Sequence, residues 1–154
     1  MARIRPAVLQ VESNPRFNNE CLRKFCAANS IVMVAFSPFG SPDLPWGAKL
    51  PHILADPTLK EIGARVGHST AQVVLRWQIQ RGVGVIPKSV ILTELTDNLG
   101  VWGWELSKED MKLVDGLETG VRKIVPIIKM EDGSMQIRDE GDENYPFRFV
   151  EGED

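Results

Sequence analysis

The sequence predicts an α/β fold built on parallel strands, and three observations carry that prediction. Three short runs, Ala7–Val11 (AVLQV), Ile31–Phe36 (IVMVAF) and Val83–Pro87 (VGVIP), are apolar and β-branched without clean alternation, the mark of strands buried on both faces. Segments with helical periodicity and capping residues separate them. Strands that alternate with helices run parallel, so their C-terminal ends share one edge and their loops share one mouth.

Between the first two runs, NNECLRKFCAAN places Leu22, Phe25 and Cys26 on one face, with Asn18 available as a cap. The second crossover is longer and holds two helices. In DPTLKEIGARV, Asp56 is an N-cap, Pro57 takes the first helical position and Gly67 ends the helix. Ser69 and Gln72 are then spaced as a capping box ahead of VVLRWQIQR. After the third strand, TELTDNLGVW is helical, with Leu95 and Leu99 one turn apart. LSKEDMKLVDGL follows, with Ser107 as cap, Asp110 at the third helical position, and Leu106, Met111, Val114 and Leu117 facing the core. Beyond Gly120 the composition turns polar, and Asp132-Gly133 between two apolar runs is a hairpin signal. The organisation is therefore a body over residues 1–120 and an acidic tail over 121–154.

A chain of 154 residues, 43% hydrophobic, is the size of one domain with a real core. It has no apolar run of about 18 residues and no signal-peptide pattern, which predicts a cytoplasmic protein without membrane contact. Cys21 and Cys26 form no CxxC motif, and with His52 and His68 they are too few and too scattered for a metal site. Residues 131–154 hold nine acids against two arginines, while residues 1–130 hold sixteen bases against twelve acids. That mildly basic body suits a polyphosphate, but no basic stripe with interleaved aromatics suggests nucleic acid.

Candidate chemistry gathers at the predicted mouth. Ser37, Gly40 and Ser41 follow the second strand, where backbone N–H groups and hydroxyls suit a pyrophosphate, although such residues most often only make a turn. Lys88 and Ser89 stand at the end of the third strand before a helix N-terminus, a place that favours an anion. Gln10 and Phe36 could grip a flat heterocycle by hydrogen bonding and stacking; singly, core packing explains each as well.

Taken in order, ARIRPAVLQVESNPRFN, AFSPFGSPDLPW, STAQVVLRW, VIPKSV, LSKEDM and YPF resemble the C-terminal half of the aldo-keto reductases, nearest to the aldose and aldehyde reductase branch. The resemblance implies a (β/α)8 TIM barrel of which this chain supplies strands six to eight with their helices and a C-terminal tail. It also implies reduction of a small-molecule aldehyde or ketone by NADP in its reduced form. By the same resemblance, Gln10 holds the nicotinamide carboxamide and Phe36 stacks on its ring in place of a tyrosine. Ser37, Phe39 and Ser41 wrap the pyrophosphate. Lys88, Ser89 and Val90 meet the adenosine 2'-phosphate and ribose, Asp97 and Asn98 face adenine, and Trp46 lines the substrate pocket.

Two departures matter. The family usually has arginine at position 94, where this chain has Glu94, whose charge opposes a 2'-phosphate and makes NAD an alternative to NADP. The family's catalytic aspartate, tyrosine, lysine and histidine come from strands one to four, so no catalytic residue is assigned here, and Tyr145 matches a tail position. Met1 falls inside a family segment, which makes the chain read as a truncated product. The expectation is an oxidoreductase by family that is inactive alone and self-associates through exposed strands. The alternative is a non-catalytic module binding a dinucleotide or a protein.

Overall fold

A computed structural model describes residues 3–41, 51–124, 126–138 and 141–142. Strands β1 (Val8–Glu12), β2 (Val32–Phe36) and β3 (Gly84–Val85) form one parallel sheet in the order β1-β2-β3. Gln10 registers with Val34, Glu12 with Phe36, and Val34 with Gly84. Helix α1 (Glu20–Ala28) joins the first pair of strands, while α2 (Pro57–Val66) and α3 (Thr70–Gln80) join the second. Helices α4 (Leu92–Leu99) and α5 (Lys108–Asp115) follow, and β4 (Ile127–Lys129) pairs antiparallel with β5 (Met135–Ile137).

The local signals resolve as chemistry predicts. Asp56 accepts from Thr58 N with Pro57 next to it, and Gly67 ends α2 at φ 73°. Ser69 and Gln72 close both halves of the capping box, and Ser107 accepts from Asp110 N. The N-cap position of α1 belongs to Asn19, but the Asn18 side chain accepts from Glu20 N at 2.9 Å and so ties down the same helix start. The hairpin turns at Asp132-Gly133, where Gly133 has φ 85°.

Two cores result. Leu9, Val11, Met33, Ala35, Val83 and Val85 turn one face of the sheet toward Cys26 and Leu22 of α1. On the outer side of α3, Val73, Val74 and Trp77 pack with Leu59, Ile62, Leu106 and Val114, and Met111 and Leu117 join them as their spacing predicts. Every residue of α3 from Gln72 to Gln78 is buried, so this helix is the axle between the two cores.

Two expectations are corrected. The strands are not buried on both faces: Val8, Val32 and Ile86 remain 52%, 54% and 47% exposed, because the helices cover the opposite face and leave these side chains open. Phe25 does not join Leu22 and Cys26 in the core and is 58% exposed; one residue before Cys26, it lies about 100° around the helix from it. Helix α4 likewise buries none of its residues, and Leu95 and Leu99 are exposed. Among the described residues no helix is long and apolar enough to cross a membrane.

Candidate functional site

Parallel pairing puts the C-terminal ends of β1, β2 and β3 on one edge, and the loops leaving β2 and β3 face each other there. Between them lies a cavity of about 580 Å³, within the roughly 300–1,000 Å³ usual for small-molecule sites. Ser37, Phe39 and Ser41 line it from the β2 loop, Lys88, Ser89 and Val90 from the β3 loop, and Asp97 and Asn98 from α4. Eight of the ten residues expected to hold a cofactor thus converge on one cavity.

Each wall has a local cause. In the β2 loop, Gly40 N donates to Ser37 O at 2.8 Å and closes a turn around Pro38. Gly40 takes φ 73°, a left-handed conformation that glycine adopts without strain, and a Cβ there would sit 2.7 Å from Ile53 Cδ1, the end of a side chain that would have to shift. Ser37 and Ser41 also take left-handed φ values of 49° and 44°, and the Ser41 hydroxyl donates to that of Ser37 at 2.5 Å. Backbone in that region is uncommon for serine and is retained where surrounding contacts fix it.

The β3 loop is built around Ser89. Its Oγ accepts from Ile91 N at 3.0 Å and donates to Glu94 Oε2 at 2.6 Å, which carries Glu94 into the cavity lining on the first turn of α4. The N-cap of α4, Ile91, provides no side-chain cap. Lys88 is exposed and has no ion-pair partner among the described residues. Farther along α4, Asp97 Oδ2 accepts from Ser69 Oγ at 2.5 Å, and Gln72 Nε2 donates to the carbonyls of Asp97 and Gly100 at 3.0 and 3.1 Å. One oxygen of Asp97 therefore serves the joint between α3 and α4.

Gln10 and Phe36 lie outside that cavity wall. Their register places both on the open face of the sheet, on adjacent strands and near the C-terminal edge, so the two stay close to the mouth without sharing its cavity. Trp46 and Tyr145 lie outside the described residues. No local signal marks His52, whose Nδ1 accepts from Leu54 N at 3.1 Å, or Leu54, Ala71 and Ile86, all of which also line the cavity. Glu12 was missed too. It is 3% exposed at the end of β1, and its carboxylate accepts from Lys123 N and Ile124 N, pinning the start of the tail across the sheet edge. An acid ending an apolar strand was the available signal. Among the described residues no group of three or more histidine, cysteine or acidic side chains could hold a metal.

The cavity lining offers two kinds of chemistry. An unpaired ammonium and a helix start favour anionic oxygens, while the side-chain amide of Asn98 and the apolar surfaces of Leu54 and Ala71 suit a heterocycle.

Comparison with known proteins adds an independent finding. The family model described as "Aldo/keto reductase family" matches residues 1–119. The chain is 40% identical over 148 residues to "Aldo-keto reductase family 1 member A1" of Bos taurus, a match that takes in 96% of this chain and 45% of the relative. The same figures hold for the Xenopus tropicalis protein of that name, and identity is 39% for that of Sus scrofa. The chain therefore spans about half the length of the curated relatives it matches.

Proposed function

Because the chain belongs to the aldo/keto reductase family, we propose that residues 1–154 carry the dinucleotide-holding side of a nicotinamide-dependent carbonyl reductase. The observation that carries this reading is the convergence of Ser37, Ser41, Lys88 and Asn98, from three separate segments, on one 580 Å³ cavity at the C-terminal edge of parallel strands. That edge is where α/β folds hold ligands. Its volume, its unpaired lysine and its serine hydroxyls fit a dinucleotide. When bound, such a cofactor supplies hydride to a carbonyl carbon. The chain's own part is to hold it: the β2 loop at the pyrophosphate, the Lys88–Val90 turn at the adenosine ribose, Asn98 at the adenine, and Gln10 and Phe36 at the nicotinamide.

On this reading β1, β2 and β3 are strands six, seven and eight of a barrel, and the open sheet face is its interior. Parallel sheets are ordinarily covered on both sides, and both β1 and β3 are edges here. Further strands, from the same polypeptide or another, complete the layer and bring the proton donor that carbonyl reduction requires. A small-molecule aldehyde or ketone is the substrate class.

Two outcomes are expected of the 154-residue chain. Mixed with NADH or NADPH and a reactive aldehyde, it binds dinucleotide but leaves the nicotinamide absorbance unchanged; robust turnover would show that it contains its own proton donor. The chain also self-associates in sedimentation experiments, and replacing Val8 and Val32 by lysine shifts it toward monomer. A chain that is monomeric at all concentrations argues against an uncovered apolar face.

A further inference from the structure

We propose that the Ser89–Glu94 corner selects a dinucleotide whose adenosine ribose carries a free 2'-hydroxyl, so that the site takes NADH in preference to NADPH. The inference rests on the dinucleotide reading and concerns the specificity of that same site. Ser89 stands next to Lys88 in the cavity lining and would be a natural phosphate donor, but its proton is already committed to Glu94 Oε2 at 2.6 Å. Its oxygen is committed as well, to Ile91 N at 3.0 Å. That hydroxyl has no proton left to donate to a phosphate oxygen.

Charge points the same way. The first turn of α4 ordinarily favours an anion, and Glu94, the acidic residue of that turn, already supplies one. Among the described cavity-lining residues Lys88 is the sole lysine or arginine, against the carboxylates of Glu94 and Asp97. A phosphate monoester adds close to two negative charges at neutral pH, whereas a ribose hydroxyl is neutral and donates well to a carboxylate. Glu94 is exposed, so water and salt weaken its repulsion. The expected result is therefore a preference rather than exclusion.

The test is titration of the purified protein with NADH and with NADPH, followed by calorimetry or by quenching of its four tryptophans. NADH is expected to bind about tenfold more tightly or better, with the gap narrowing as salt is added. Glu94→Gln, which keeps a hydrogen-bond acceptor and removes the charge, should tighten NADPH and leave NADH nearly unchanged. Glu94→Arg should reverse the order. Equal or tighter binding of NADPH by the unaltered protein overturns this inference while leaving the dinucleotide reading in place. Binding of neither dinucleotide overturns both.

Discussion

Replacing Trp77 by alanine is expected to destabilise the protein by about 3–5 kcal/mol, the range for removing a buried tryptophan from a packed core. Trp77 is fully buried on α3 and packs within the cluster formed by Ile53, Leu59, Ile62, Val73, Val74, Leu106 and Val114. Its contributions extend beyond apolar area. The indole Nε1 donates to Asp115 Oδ1 at 2.9 Å and so ties α3 to the end of α5, and the Arg81 guanidinium lies 4.2 Å from the ring centroid. Alanine would leave a void, an acceptor without its donor and a cation without its aromatic surface. Trp77→Phe separates these effects: it keeps most of the volume and the face for Arg81 but loses the hydrogen bond, for about 1 kcal/mol from that bond, before any packing loss. Urea unfolding of both variants measures the difference. An alanine variant within about 1 kcal/mol of the parent would mean that the outer core tolerates collapse around α3, and the helix would lose its place as the axle of the fold.

What was legible in the sequence was what its chemistry decides within a few residues. Ser69 with Gln72, Asp56 with Pro57, Ser107 with Asp110, and Asp132 with Gly133 each satisfy backbone groups at their own helix end or turn, and each was found where its spacing put it. The cavity was legible for a related reason, since strand–helix alternation alone sends the β2 and β3 loops to one edge. The rest depends on partners distant in the chain. Nothing local announces that Glu12 will hold the backbone at Lys123 and Ile124, or that Ser69 will engage Asp97. The open sheet face shows the limit most clearly. The composition of Val8 and Val32 records burial on that side, and the described residues provide nothing to bury them.

Acid is expected to loosen the fold through Glu20, and the direction follows from its partners. Glu20 opens α1 and receives hydrogen bonds from Arg23 Nη2 at 2.7 Å and Nε at 2.8 Å, and from Arg81 Nη2 at 2.8 Å. Arg23 also donates to Arg81 O at 3.1 Å, so three side chains clamp the start of α1 to the end of α3 across the outside of the sheet. The Arg23 hydrogen bonds lead in lowering the Glu20 carboxyl from 4.5 to about 2; burial opposes the shift, and the bond from Arg81 adds to it. A carboxyl lowered on folding contributes stability that is full above its unfolded value and fades as pH falls toward the folded one. The loss therefore runs from about pH 5 down through pH 2. Because the Glu20 side chain is 38% exposed, solvent screening reduces the contribution to about 1–2 kcal/mol. Glu20→Gln should flatten the unfolding profile across that interval. At neutral pH it should cost about 2 kcal/mol, since the Arg81 side chain, 6% exposed, would keep its charge after losing the carboxylate it is hydrogen-bonded to. Denaturant midpoints for the two proteins at pH 3 and pH 7 give both quantities. Parallel profiles would assign the acid sensitivity to carboxylates other than the one that holds α1 to the end of α3.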